Sequence, residues 1–144
     1  MQKTLKKIEA FLGKHHLLSL ATAADNTPQS ASLFYAFDAE KIGFIVASDM
    51  KTEHIRNVLA NDKVAGTVAL ETDVVGKIEG IQFKGLMRAI SQEEGALYFK
   101  KFPYARVMNP QLWQIELADI KLTDNRLGFG KKLYWQRADS RELE

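Results

Sequence analysis

Residues 48–54 combine the side chains and backbone groups that bind a phosphate. An apolar run ends at the hydroxyl of Ser48, and the loop that follows presents Lys51 just before a helical pattern begins. A hydroxyl, an ammonium and the free N–H groups at a helix start can converge on one phosphate. A single exposed lysine contributes only ~1 kcal/mol or less to binding such an anion, so further donors must take part. The same residues also fit a structural role, in which Ser48 caps the turn and Lys51 is solvated.

Other kinds of chemical site have little support in this sequence. The three histidines, His15, His16 and His54, do not have the spacing to a second histidine and a carboxylate that places metal ligands on one helix face, so we expect no metal site. No Gly-x-Ser-x-Gly elbow occurs, and the absence of cysteine excludes disulfides and thiolate chemistry. Gly-Phe-Gly-Lys-Lys at 128–132 lacks the spacing of a phosphate loop and is typical of a β-turn, although its lysines could face an anion.

Hydrophobic periodicity predicts seven strands and three helices that position these residues. Helices are predicted at 3–12, at 52–59 and, after a Ser91-x-x-Glu94 capping box, up to Pro103. Strands are predicted at 17–23, 29–37, 42–47, 63–70, 77–90, around 113–117 and at 129–135. A turn is predicted at 25–28, and the glycines of the fifth strand predict bends or bulges. The connections are too short for crossover helices, so the pattern predicts a mainly β antiparallel barrel or sandwich with peripheral helices.

Length and composition limit the function classes. The 144 residues fit one domain, which we expect to span 1–137, followed by a polar C-terminal tail at 138–144. The 20 basic and 18 acidic residues are scattered along the chain, so we expect no nucleic-acid partner. No apolar run approaches the ~18 residues that cross a bilayer, so we expect no membrane partner and a cytoplasmic location.

Several segments, taken together, resemble the pyridoxamine phosphate oxidase-like FMN-binding split barrels, and in particular their YhbP-like bacterial branch. The resemblance rests on the strand that ends at Ser48, on the Lys51-x-x-His54 pattern, and on segments 64–68, 80–85 and 121–132. It covers nearly the whole chain. It implies a six- to seven-stranded antiparallel split β-barrel of Greek-key type, and a homodimer with FMN at the interface.

The resemblance also implies roles for particular residues. Ser48, Lys51 and Thr52 would hold the FMN phosphate, while Val46 and Ala47 would border the flavin ring and Gln82 would reach it from the long strand; His54 is a weaker candidate. Two departures concern the substrate. Basic residues on the second strand of true pyridoxamine phosphate oxidases are replaced by Ala31 and Ala36, and residues 133–137 do not reproduce their arginine-containing substrate motif.

The resemblance thus implies an oxidoreductase-like protein that acts on another small molecule or on reduced nicotinamide, and the departures argue against a true pyridoxamine phosphate oxidase. Its catalytic residues are not identified by the sequence. The alternatives are a protein that stores, senses or shields a flavin or haem without turnover, a pocket that takes haem or a deazaflavin, and a dimeric scaffold without a ligand.

Overall fold

The structure is a computed structural model that describes residues 2–128 and 131–137. The strands in these ranges are β1 (Leu17–Ala24), β2 (Thr27–Asp38), β3 (Gly43–Ala47), β4 (Lys63–Ala69), β5 (Glu79–Ile90), β6 (Leu112–Asp124) and β7 (Lys132–Gln136). The α-helices are α1 (Gln2–Gly13), α2 (Glu53–Ala60) and α3 (Ala96–Lys101), and Pro103–Met108 forms a 3₁₀ helix. Among the described residues, no helix is long and apolar enough to span a bilayer.

The strands form one antiparallel sheet that closes into a barrel. Their order is β3-β2-β1-β4-β5-β6-β7, and β3 also pairs with β6. Six strands therefore form the closed barrel, and β7 lies beside β6 outside the closure. The mainly β antiparallel barrel predicted from the sequence is confirmed.

Strand β6 exchanges one neighbour for another along its length. Its residues 112–116 pair with β3 and its residues 119–123 pair with β7, while β5 follows it throughout. The register of β5 on β6 shifts between Lys84 and Gly85, close to the exchange. A Cβ atom on Gly85 would lie 2.4 Å from the carbonyl oxygen of Glu116, so this position accepts only glycine without distortion. The bulge expected at a glycine of the long strand is therefore confirmed at Gly85.

Aromatic side chains fill the barrel, and helices pack against it. The Phe44 ring lies 5.0 Å from the rings of both Tyr35 and Phe83, and Trp113 is buried in the same core. Helix α1 adds its buried stripe of Ile8, Phe11 and Leu12 to this core. Helix α3 covers the outside of β2 and β3 with Tyr98 and Phe99, in a second cluster that includes Ala36.

Some predicted boundaries are wrong. The turn after β1 consists of Asp25 and Asn26 alone, with φ angles of 51° and 61°, as in a type I′ hairpin. Thr27 and Pro28 already belong to β2. Strand β5 starts at Glu79 rather than at 77, because Val75–Lys77 form a 3₁₀ turn.

Other boundary predictions are met in part. The reciprocal Ser91–Glu94 hydrogen bonds are present, at 3.0 and 3.1 Å, but they close a turn that precedes α3. Strand β7 is described from Lys132 onward. The predicted strand start at 129, the loop residue Gly130 and the tail at 138–144 lie outside the described residues.

Candidate functional site

Contacts from strand β6 and the segment before it fix Ser48 at the end of strand β3. Its backbone N–H donates to the carbonyl of Gln111 at 3.1 Å, and the indole Nε1–H of Trp113 donates to the Ser48 carbonyl at 3.0 Å. Trp113 is itself only 1% exposed, so it forms a rigid support. Both backbone polar groups of Ser48 are thus satisfied by protein, and its hydroxyl stands at a defined place on the surface of the barrel.

The loop between Ser48 and helix α2 is held by its own hydrogen bonds. The Asp49 carboxylate accepts the backbone N–H of Lys51 at 2.7 Å, and the Asp49 carbonyl accepts the Thr52 hydroxyl at 2.9 Å. The Thr52 oxygen in turn accepts the backbone N–H of Ile55 at 3.3 Å, so Thr52 is the N-cap of α2. The loop therefore has a set conformation with the Lys51 side chain exposed to solvent.

His54 joins Ser48 to the start of helix α2. Its Nε2 atom lies 2.5 Å from Ser48 Oγ and 3.3 Å from Thr52 Oγ1. The side chain is only 9% exposed, and burial lowers the pKa of His54 below its usual value, so the ring is neutral at pH 7. Sequence spacing gives no signal for this contact, because a six-residue separation across a loop brings two side chains together only in a particular loop conformation.

The charges of this loop do not by themselves favour an anion. Lys51 is accompanied by the carboxylates of Asp49 and Glu53, both exposed. Glu53 is oriented by a 3.1 Å hydrogen bond from Gln29 Nε2. The Ser48 hydroxyl, the lysine and the first-turn N–H groups of α2 that Thr52 does not cap are suited to a phosphate, but a dianion there requires cations from another source.

A surface cavity of about 480 Å³ adjoins Ser48. This volume falls within the range typical of small-molecule sites. Residues 47–50 form one side, and the other side comes from Tyr98, Ala105 and residues 108–111. Its lining is mixed: Ser48, Asp49, Asn109 and Gln111 are polar, and Met50 and Met108 contribute exposed apolar side chains. It can therefore accommodate a ligand that has both polar groups and an apolar body.

The residues predicted to bind a cofactor occupy three separate places. Ser48, Lys51 and Thr52 lie together in the loop, with Ala47 half-buried beside them. Val46 is fully buried in the barrel core, where it pairs with Tyr35 and Trp113, so its side chain does not reach the cavity.

Gln82 is exposed on the outer face of strand β5. It lines a different groove of about 590 Å³ that also includes Thr67, Lys84, Lys121 and Tyr134. This groove shares no lining residue with the cavity beside Ser48. Gln82 and Ser48 therefore belong to separate surfaces of one chain.

The histidines do not form a metal centre in the described part of the chain. No group of three histidine or acidic side chains there could hold a metal ion. The His15 ring packs against Phe11 of helix α1, with ring centroids 4.4 Å apart and the planes tilted by 38°.

Sequence comparison places the chain among proteins of similar length. The profile of the pyridoxamine 5′-phosphate oxidase family matches residues 4–122. The UPF0306 protein YhbP of Escherichia coli O127:H6 is 40% identical over 139 residues, which cover 94% of this chain and 99% of that protein.

Solved structures share the fold at much lower sequence identity. A heme-binding protein from Mycobacterium smegmatis superimposes with a TM-score of 0.76 at 11% identity, over 92% of this chain and 57% of that one. A FAD-binding protein from Mesorhizobium loti gives a TM-score of 0.67 at 15% identity, over 79% and 87% of the two chains. At these identities the likeness concerns the fold alone. The family profile and the full-length relative together show that the chain belongs to the pyridoxamine 5′-phosphate oxidase family, in its UPF0306 YhbP branch.

Proposed function

We propose that this protein binds FMN, with the phosphate at the loop between β3 and α2, and acts as a flavin-dependent oxidoreductase. The observation that carries the proposal is the preformed loop itself. Its hydrogen bonds hold Ser48, which lines the cavity, within a few residues of the exposed Lys51 and of the start of α2. FMN combines a phosphate with a large flat ring.

In this proposal the bound flavin supplies electron exchange with a small molecule or reduced nicotinamide. The protein orients it. Ser48 and Lys51 hold the phosphate end, and Thr52, whose hydroxyl and backbone N–H both donate to the Asp49 carbonyl, fixes the start of α2 beside them. Ala47 borders the ring, and the buried Val46 keeps Ala47 and Ser48 in place. The family membership supports this assignment by analogy, while the residues of the loop carry the argument for the function.

The charge of the loop supports a homodimer. One lysine accompanied by two carboxylates is a poor match for a phosphate dianion, so we propose that a second copy completes the site. The groove around Gln82 carries Lys84 and Lys121, and Asp119 also lies in it. If the Gln82 groove of a second copy covers the Ser48 loop, Gln82 reaches the flavin and both lysines add positive charge.

The second candidate is a protein that carries or stores a flavin, deazaflavin or haem without turnover. It is favoured because the cavity offers few groups that could transfer a proton in a reaction. Among the described residues that line it, Asp49 is the only acidic side chain and Tyr98 the only phenol. Burial raises the pKa of Tyr98, which makes this phenol a poor base at neutral pH. The fold likeness to a heme-binding protein keeps haem among the ligands to be tested.

Purified protein separates these candidates. A visible spectrum with flavin bands, and a rise in melting temperature with added FMN but less with riboflavin, are the expected results. A colourless protein that gains no thermal stability from FMN contradicts the proposal, and a haem spectrum supports the second candidate. Bleaching of bound FMN by NADH or NADPH distinguishes an enzyme from a carrier.

The phosphate assignment is tested by Lys51→Ala. We expect weaker FMN binding and unchanged riboflavin binding, because only FMN carries the phosphate. Lys6→Ala, on the exposed side of α1, is the matched control. Equal FMN affinity in the two variants would show that Lys51 does not contact the phosphate.

A further inference from the structure

One nitrogen of His54 contacts two hydroxyl groups of the loop. Nε2 lies 2.5 Å from Ser48 Oγ and 3.3 Å from Thr52 Oγ1. In a neutral histidine this nitrogen is either a donor or an acceptor, and its role is set by its partners. The direction of the Ser48 hydroxyl depends on which role it takes.

The hydrogen bonds of Thr52 determine that role. Its hydroxyl has one proton, and the carbonyl of Asp49, at 2.9 Å, can only accept it. The Thr52 oxygen also accepts the backbone N–H of Ile55. Thr52 therefore has no proton left for His54, and its contact with Nε2 is favourable only if Nε2 carries the hydrogen.

An Nε2–H group must also be the donor in the shorter contact with Ser48. The Ser48 oxygen then accepts from the ring, and its own proton is free to point elsewhere. If Nε2 carried no hydrogen, the Ser48 hydroxyl would instead donate its proton to the ring. The lone pairs of the Ser48 oxygen would then face the cavity. An oxygen in that orientation repels a phosphate.

We propose that His54 is a positioning residue: by donating from Nε2 to Ser48 Oγ, it leaves the Ser48 proton directed at the ligand's phosphate. The inference rests on the proposed phosphate site and adds a residue to it. The surroundings hold the arrangement in place, because His54 is buried in the first turn of α2 and the Ser48 backbone is bound to Gln111 and Trp113. The same donor direction excludes His54 as a base that activates Ser48, since a base must accept the serine proton.

The tautomer is measured directly and without any ligand. Long-range ¹H–¹⁵N correlation spectra of histidine-labelled protein distinguish Nε2–H from Nδ1–H. The His54 signals are identified by their loss in His54→Gln, which leaves only those of His15 and His16. We expect the Nε2–H form for neutral His54. A neutral ring protonated at Nδ1 overturns the inference.

Binding of FMN and riboflavin tests the consequence for the phosphate. His54→Leu fills the buried position with an apolar side chain and removes the donor, and we expect FMN to bind about tenfold more weakly, as for a lost hydrogen bond to a charged group. His54→Gln can still donate and should bind FMN within about threefold of the wild type. Riboflavin affinity should not change in either variant. An equal loss for FMN and riboflavin shows a merely structural role and overturns the inference.

A double-variant cycle with Ser48→Ala separates this inference from the proposed function. If His54 acts through Ser48, then His54→Leu adds little to the loss already caused by Ser48→Ala. Additive losses overturn the inference while leaving the phosphate site intact. If neither Lys51→Ala nor Ser48→Ala weakens FMN binding, the proposed phosphate site fails instead, and the role of His54 toward a phosphate fails with it; the tautomer measurement then tests only whether His54 donates to Ser48.

Discussion

The close approach of Gly85 to strand β6 lets us predict how much stability the barrel loses when this glycine is replaced by alanine. In Gly85→Ala the new Cβ atom would meet the Glu116 carbonyl oxygen at 2.4 Å and Ile115 Cγ2 at 3.0 Å. Ordinary contact with a Cβ atom begins at 3.4 Å, so β5 and β6 must separate by about 1 Å at this point. The nearest obstacle is a backbone atom in a closed barrel, which cannot rotate away as a side chain could.

The expected cost combines overpacking with weakened strand pairing. Overpacking a well-filled site costs roughly 1–3 kcal/mol, and each ladder hydrogen bond lost adds about 1 kcal/mol. We therefore expect the unfolding free energy to fall by about 3 kcal/mol. For a chain of this size the melting temperature should fall by about 10 °C.

Urea unfolding followed by tryptophan fluorescence measures this change, because Trp113 and Trp135 are both buried. Gly76→Ala is the matched control, since a Cβ atom there meets nothing within 4 Å. It should leave stability unchanged within about 0.5 kcal/mol or raise it slightly. Equal stabilities of the Gly85 and Gly76 variants would refute the argument that the bulge requires glycine.

Three further predictions concern single side chains. Tyr35→Phe removes the buried hydroxyl that donates to the Leu12 carbonyl at 2.6 Å, and urea unfolding should show a loss of about 1–3 kcal/mol. Glu53→Gln removes a carboxylate near the proposed phosphate, so FMN should bind a few-fold more tightly at low salt, and this gain in affinity should shrink at high salt. Glu71→Gln should leave FMN affinity unchanged. Burial lowers the pKa of His54 in the folded protein, so the unfolded chain binds its proton first as the pH falls. Stability should therefore decrease as the pH falls through about 6.5, the ordinary histidine pKa, and His54→Gln should flatten that dependence; an identical pH profile would contradict it.

The sequence predicted those features that depend on neighbouring residues. The hairpins follow from alternating side chains, and the start of α2 from Thr52 ahead of an apolar stripe. The exact turn at Asp25 and Asn26 was missed because Thr27 and Pro28 are also turn residues by type. Pro28 nevertheless fits a strand, because β2 pairs with β3 only over residues 35–38 and leaves that edge unpaired at Pro28.

Features that depend on distant residues were not accessible in this way. The pairing of β3 with β6 gives no local signal, and neither does the support of the Ser48 carbonyl by Trp113. The family resemblance grouped Gln82 with Ser48, whereas one chain places them on separate surfaces. The contact between His54 and Ser48 likewise depends on a loop conformation that residue types alone do not specify.

The support of Ser48 by strand β6 has a kinetic consequence. The indole that holds the Ser48 carbonyl is 65 residues away along the chain, and the contact forms where β3 meets β6 to close the barrel. Contacts of such sequence separation carry a high loop-closure entropy and tend to form late in folding. A refolding chain should therefore gain its affinity for a ligand at this loop only once the barrel has closed. A ligand bound there should in turn slow the opening of the barrel.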